Sequence, residues 1–191
     1  MRAKERSLRG VLIAALAAGG ALAIAQTPAP SGNLISNGNF DAQMQRWSQV
    51  AGGGAKGSAR VITDDPLSAQ SPSALRIEAT EFGFGAAYTP SSAMAVQSGK
   101  WYDISFSARM ESQGSVGLLF SLETPDGKKY CARTTLPEIG RVGTPIEGSQ
   151  RWRKYTVSLH AYASDPNCRL VITPIEPATV VIDSIEMTQR K

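Results

Sequence analysis

Four stretches of this chain alternate between apolar and polar residues, and that alternation constrains its fold more than any other feature. Tyr102, Ile104, Phe106, Ala108 and Met110 are interleaved with Asp103, Ser105, Ser107 and Arg109. Val116, Leu118, Phe120 and Leu122 follow the same pattern against Gly117, Leu119, Ser121 and Glu123, as do Leu75, Ile77 and Ala79 against Arg76, Glu78 and Thr80. The stretch 149–165 is the longest free of Gly and Pro, so it is the best place to look for a helix. There, however, Tyr155, Val157, Leu159 and Ala161 alternate with Lys154, Thr156, Ser158 and His160. A period of two puts one face of a strand in a core, whereas a helix would repeat every 3.6 residues. Leu170–Ile172 and Val180–Ile182 read as short buried strands, and Thr124-Pro125-Asp126-Gly127 is a strong turn leading into a further strand through Lys128-Lys129-Tyr130. Gly52-Gly53-Gly54 marks a loop, and 133–150, which lacks a clear period, is expected to be a loop over one end of the fold. Eight or more short strands, each with one apolar face, predict an all-β antiparallel sandwich of two packed sheets.

The fold has fewer residues to work with than the 191 of the full chain. Residues 1–25 read as a secretory signal: Arg2, Lys4, Arg6 and Arg9 precede an apolar run from Val11, and Ala23-Ile24-Ala25 offers a small-x-small cleavage site. The alternative, a retained membrane anchor, fits less well with Gly19-Gly20 inside the run and no stop-transfer flank. Gln26–Gly32 is then a short linker, and 33–191 the domain. Removing the leader takes away four basic residues and Glu5, so the net charge drops from +4 to about +1 and the basic pI of 9.2 belongs largely to the precursor. That near-neutral product has no electrostatic case for binding nucleic acid. An exported chain, secreted or periplasmic, with just two cysteines, Cys131 and Cys168, favours a disulfide between them, with two buried thiols as the alternative. Zinc would want about four Cys or His ligands, more than this chain holds.

Five segments, in order, resemble one family of secreted proteins. Asn33-Leu34-Ile35-Ser36-Asn37-Gly38-Asn39-Phe40-Asp41 with Trp47 is similar to the opening of carbohydrate-binding modules found beside xylanase and glucanase catalytic domains. Ser73–Ile77, Gly99–Arg109, Trp152–Tyr155 and Val181–Ile185 resemble the later signature strands of the same family. The resemblance implies a galactose-binding-like jelly roll, here standing alone as a non-catalytic module that binds a polysaccharide or oligosaccharide on a concave sheet face or in edge loops. It also implies a structural calcium ion held by Asp41 and Asp183 with backbone carbonyls, expected from the 69–73 loop. Two departures weaken that site: Asp41 is shorter than the family's usual Glu, and Ser184 replaces a second Asp.

Candidate sugar contacts come from the residues themselves. Sugar recognition needs aromatic rings against C–H faces and fixed polar groups for the hydroxyls. Phe82, Phe84 and Tyr88 place three rings within seven residues among glycines, as either an outward-facing loop or an edge strand folded onto the core. Trp101 is out of phase with the Tyr102 row, so it is expected on the polar face. Arg109 and Glu123, if on neighbouring strands, would form a pair on that same face able to hold a diol. Trp47 and Trp152 read as structural. Catalysis has little support: the lone histidine, His160, lies on the polar face of a strand, no serine sits in a nucleophile elbow, and Asp64-Asp65 before Pro66 is turn chemistry. A structural or adhesion domain without a sugar site is the main rival reading, and a small glycan hydrolase the weaker one.

Overall fold

The period-two stretches form strands in which the apolar set points inward. The protein is described by a computed structural model that covers residues 32–63, 72–134, 144–147 and 151–191. The expected leader, most of the expected linker, Asp64-Asp65 and residues 69–71 of the expected calcium loop lie outside these described residues. The described residues form eleven strands: β1 (Trp47–Ala51), β2 (Gly57–Thr63), β3 (Ser73–Ala79), β4 (Phe84–Tyr88), β5 (Trp101–Met110), β6 (Ser115–Glu123), β7 (Tyr130–Arg133), β8 (Thr144–Glu147), β9 (Arg153–His160), β10 (Arg169–Pro174) and β11 (Ala178–Gln189). They form two antiparallel sheets, one six-stranded in the order β1-β4-β10-β6-β7 with β8 also paired to β6, the other five-stranded in the order β2-β3-β11-β5-β9. This is the expected all-β jelly-roll sandwich.

Alternation decides what fills it. Leu75, Ile77, Tyr102, Ile104, Phe106, Val180 and Ile182 from the five-stranded sheet meet Leu118, Phe120, Leu122, Leu170 and Ile172 from the six-stranded one in a single core. Phe106 and Phe120 cross the sandwich with ring centroids 4.9 Å apart, and Tyr155 stacks on Phe106 from the neighbouring strand at 5.5 Å. Burying such a ring is worth about 2–3 kcal/mol in removed apolar area.

The N-terminal segment closes one end. Gly38 lies so close to the β11 backbone that a Cβ would collide with the Ile185 carbonyl, and its own carbonyl accepts the Ile185 N–H at 3.0 Å. Asn37, at φ 57°, occupies the left-handed region that asparagine tolerates better than most residues. Its Nδ2 donates to the carbonyls of Gln43 and Gln45, and its Oδ1 accepts from Ala42 N–H, each at 2.9 Å. Behind this clip the rings of Phe40, Trp47 and Tyr88 pack in a tilted row with successive centroid separations of 5.3 Å. Trp47 is therefore structural, as expected.

Two sequence expectations fail here. The 133–150 stretch is not wholly a loop: Arg133 ends β7, and β8 pairs with β6 from Ser115 to Leu118. Its four residues, with Pro145 among them, carry no alternation to read, and a proline is tolerated there because β8 is an edge strand. Second, β5 and β6 are consecutive but not neighbours, since the 111–114 link carries the chain from one sheet to the other. Their polar faces therefore point away from each other.

The inter-sheet rings should dominate stability. Phe120→Ala is expected to cost about 3–5 kcal/mol in urea unfolding; a loss under about 1 kcal/mol would mean that the sheets do not depend on this contact.

Candidate functional site

Pairing across the six-stranded sheet arranges its outward side chains in rows. Val50 lies beside Gly85, and Thr173 beside Leu119. In the next row Ser48 pairs with Ala87, Ala87 with Val171, Val171 with Ser121, and Ser121 with Arg133. In a third, Arg169 pairs with Glu123 and Glu123 with Tyr130. These rows floor an open groove of about 460 Å³, bounded by Phe82 and Gly83 on one side and by Tyr130 with the Asp126-Gly127 turn on the other. Phe82 and Tyr130 are 60% and 41% exposed.

Local geometry explains each wall. Gly83, at φ 100°, breaks the alternation at the start of β4, so Phe82 turns out while Phe84 turns in. A side chain is strained in that conformation, and a Cβ at Gly83 would crowd the Gly52 carbonyl. The Gly52 N–H donates to the Gly83 carbonyl at 2.9 Å and fixes the Phe82 turn against the end of β1. On the far side the Thr124 hydroxyl and the Lys128 N–H both donate to Asp126 Oδ1, at 2.6 and 3.1 Å. Those hydrogen bonds, the hydroxyl's first, hold the Asp126 carboxyl below its ordinary pKa.

The polar groups in the floor are already oriented. Arg169 donates from Nε and Nη2 to Glu123 Oε1 at 3.0 and 2.7 Å, with the two side chains 20% and 7% exposed. A charge-assisted pair with this little freedom presents fixed donor and acceptor directions. Ser121 and Thr173 supply hydroxyls beside it, between the apolar surfaces of Val50, Leu119 and Val171.

Of the ring and charge candidates, the structure brings Phe82 and Glu123 into this groove and sends the others elsewhere. Phe84 and Tyr88 are core residues, 4% and 1% exposed, because β4 is an interior strand between β1 and β10 rather than an edge. The Tyr88 hydroxyl accepts from the Ser36 N–H at 2.9 Å, tying the N-terminal segment to the core. Trp101 and Arg109 project from β5, on the outer face of the opposite sheet. Trp101 is exposed but flanked by His160 at 4.8 Å and by the Arg190 guanidinium at 5.5 Å. Arg190 is held by both Asp103 oxygens, at 2.6 and 2.7 Å, and that contact holds the Asp103 carboxyl below its ordinary pKa. Arg109 lies under Trp152 and pairs with Glu111 at 3.2 Å. The expected Arg109–Glu123 pair therefore does not form, because the two residues lie in different sheets; Glu123 pairs with Arg169 instead.

Tyr130 and Arg169 were missed. Tyr130 follows a legible Asp-Gly turn, so an outward ring beside it was within reach of the sequence. Arg169 was not, because its pairing to Glu123 joins strands 46 positions apart.

Asp183 is completely buried, and its Oδ1 accepts the Ser184 N–H at 2.6 Å within the bulge of β11. Asp41 is exposed and accepts from Asn39 Nδ2 at 2.6 Å. The Gly38–Ile185 hydrogen bond sets the segment leading to Asp41 beside this bulge. Among the described residues no three Asp, Glu, His or Cys side chains gather into a metal site. Cys131 and Cys168 are buried thiols with sulfurs 3.4 Å apart. Burial, and then the contact with Cys131, pushes the Cys168 thiol pKa well above its ordinary range.

Residues 32–179 match the family model described as a carbohydrate binding domain. No curated protein matches the chain. Among solved structures, the CBM22-1 xylan-binding domain from Paenibacillus barcinonensis is similar over 84% of this chain and 97% of its own, at 17% identity and a TM-score of 0.58. A family 11 carbohydrate-binding module from Clostridium thermocellum, in complex with a β-1,3-1,4-mixed-linked tetrasaccharide, is similar over 82% of this chain and 94% of its own, at 14% identity and a TM-score of 0.52. An arabinose-bound α-L-arabinofuranosidase is similar over 83% of this chain, at 20% identity and a TM-score of 0.67, but the chain spans only 26% of that enzyme's length. At these identities the likeness is one of fold.

Proposed function

The chain belongs to the carbohydrate-binding domain family, and from that premise we propose that it is an exported module binding a polysaccharide chain, without catalysis, in the groove over the six-stranded sheet. The observation that carries the location is the pair of exposed rings, Phe82 and Tyr130, on opposite sides of a floor in which Arg169 and Glu123 are already hydrogen-bonded in place. A pyranose lying against either ring removes C–H surface from water, while Ser121, Thr173, Asp126, Glu123 and Arg169 meet its hydroxyls. Because Arg169 fixes Glu123 in advance, little side-chain entropy is lost on binding. The two groove carboxylates are poor candidates for glycoside hydrolysis, which needs one of them raised in pKa as a proton donor. Asp126 is shifted the opposite way, and Glu123 is tied to a guanidinium. In affinity electrophoresis against xylan and mixed-linkage glucan, Phe82→Ala and Tyr130→Ala should each weaken binding by about tenfold, on the order of 1.4 kcal/mol. Trp101→Ala, on the other sheet, should leave binding intact. Loss of binding with Trp101→Ala alone would move the site to the other sheet.

Export and the cysteines belong to the same reading. In an oxidising compartment the two neighbouring thiols would close to a disulfide after a small adjustment, stapling β7 to the start of β10 and adding about 3–4 kcal/mol in the chain-entropy account. The intact mass of protein recovered from the periplasm should equal that of residues 26–191, less about 2 Da for the hydrogens lost on oxidation. A full-length mass, or two thiols open to alkylation after denaturation, would reject it.

A structural Ca²⁺ is the third element of the proposal. Asp183 and Asp41 would hold it, with carbonyl oxygens completing the six to eight ligands that calcium prefers. The support is a wholly buried carboxylate in a bulge clamped to the segment that leads to Asp41. Bound there, the ion would join the N-terminal segment to β11. Millimolar calcium should raise the melting temperature by several degrees over that in EGTA, and Asp183→Asn should erase the difference. Equal melting temperatures in calcium and EGTA would rule the ion out.

A further inference from the structure

The charged residues lining the groove are Glu123, Asp126 and Arg169, and further cations stand beside it. Glu123 is paired with Arg169, and Asp126 with Lys128 at 3.7 Å. Lys129 donates its Nζ to the Ser164 carbonyl at 3.0 Å. Arg133 has no such partner: it is exposed, and no carboxylate among the described residues pairs with it. Its position is fixed by the sheet. As the cross-strand partner of Ser121, it continues the Ala87–Val171–Ser121 row and faces the same side as the groove floor. Its guanidinium carbon stands 5.7 Å from the centroid of the Tyr130 ring that walls the groove. Stacking on an aromatic face orients a guanidinium and leaves its N–H edge free to donate. Beyond it Tyr162, 54% exposed, lies against the same strand through its N–H bond to the Cys131 carbonyl at 2.9 Å.

We propose that Arg133, braced on Tyr130, makes this groove selective for glycans that carry oxyanions, either the carboxylate of a uronate or a sulfate ester. The inference rests on the polysaccharide-binding reading above and adds the class of chain recognised. A planar guanidinium matches both oxyanions with two parallel N–H···O bonds. The floor and the two rings hold the sugar backbone, and Arg133 at the rim reads a charged substituent on it. Since the mature chain has little net charge, any preference for an anionic polymer has to come from a local group such as this one, not from the overall field.

Matched polymers separate the two readings. Hydroxyethylcellulose, carboxymethylcellulose and cellulose sulfate share one backbone; arabinoxylan and glucuronoxylan share another. Binding of residues 26–191 is measured by affinity electrophoresis and calorimetry at about 20 mM and about 300 mM salt, with wild type, Arg133→Gln and Arg133→Lys. The charged member of a pair should bind about fivefold tighter at low salt, with the advantage shrinking at high salt. Whichever of carboxylate and sulfate gains more identifies the oxyanion. Arg133→Gln should remove the advantage while changing affinity for the neutral polymers less than twofold, and Arg133→Lys should retain part of it. Equal affinity of the wild type for charged and neutral polymers, or an advantage that survives Arg133→Gln, would overturn the selectivity and leave sugar binding standing. A wild type that binds none of the five would overturn the polysaccharide reading and the selectivity with it.

Discussion

The packing of two inner sheet faces against each other is the constraint on which everything else rests. Phe106 and Phe120 meet across the sandwich, with the Leu, Ile and Val rows of β3, β5, β6, β10 and β11 around them. Once those rows are buried, period two leaves the opposite rows no choice but to face outward. The groove is the outward face of β1, β4, β10, β6 and β7, so its floor is fixed by the same residues that fix the core. A one-residue slip in β6 would turn Ser121 and Glu123 into the sandwich core and turn Phe120 and Leu122 out of it, removing core and site together.

The polar groups on the two outer faces are organised by different means. On the six-stranded sheet the pair Glu123–Arg169 lies in the floor of an open groove with exposed rings beside it. On the five-stranded sheet the charges are used on one another. Arg76 donates to both Glu78 and Glu111, Glu111 also receives Arg109, and Arg190 is clamped by Asp103 and Ser158. Trp101 is exposed there, yet both His160 and Arg190 flank its ring, whereas Arg133 is the one guanidinium or ring against Tyr130 among the described residues. Exposure alone does not make a ring a platform; what stands beside it decides.

The ends of the chain are tied by a backbone contact that admits no side chain. Gly38 against Ile185, the αL turn at Asn37, and the tilted Phe40–Trp47–Tyr88 row hold the N-terminal segment onto the last strand. The same arrangement brings the buried Asp183 close to the segment that carries Asp41. Structural residues in the opening motif therefore do two jobs: they close the core at one end and hold the N-terminal segment against the bulge of β11.

Read alone, the sequence determined the sandwich, the inward rows of β3, β5, β6 and β9, the turn before β7 and the structural role of Trp47, because each is written in residues a few positions apart. It did not determine which strands are neighbours. That choice is made by inter-sheet packing and long loop closures, and it separated Arg109 from Glu123, joined Glu123 to Arg169, and put β4 in the sheet interior so that Phe84 and Tyr88 became core. The same choice set Arg133 beside Tyr130 on the groove face through pairing with β6. The split between Phe82 and Phe84 was also decided by the folded backbone, where Gly83 in a left-handed conformation cancels the alternation that would otherwise put both rings on one side.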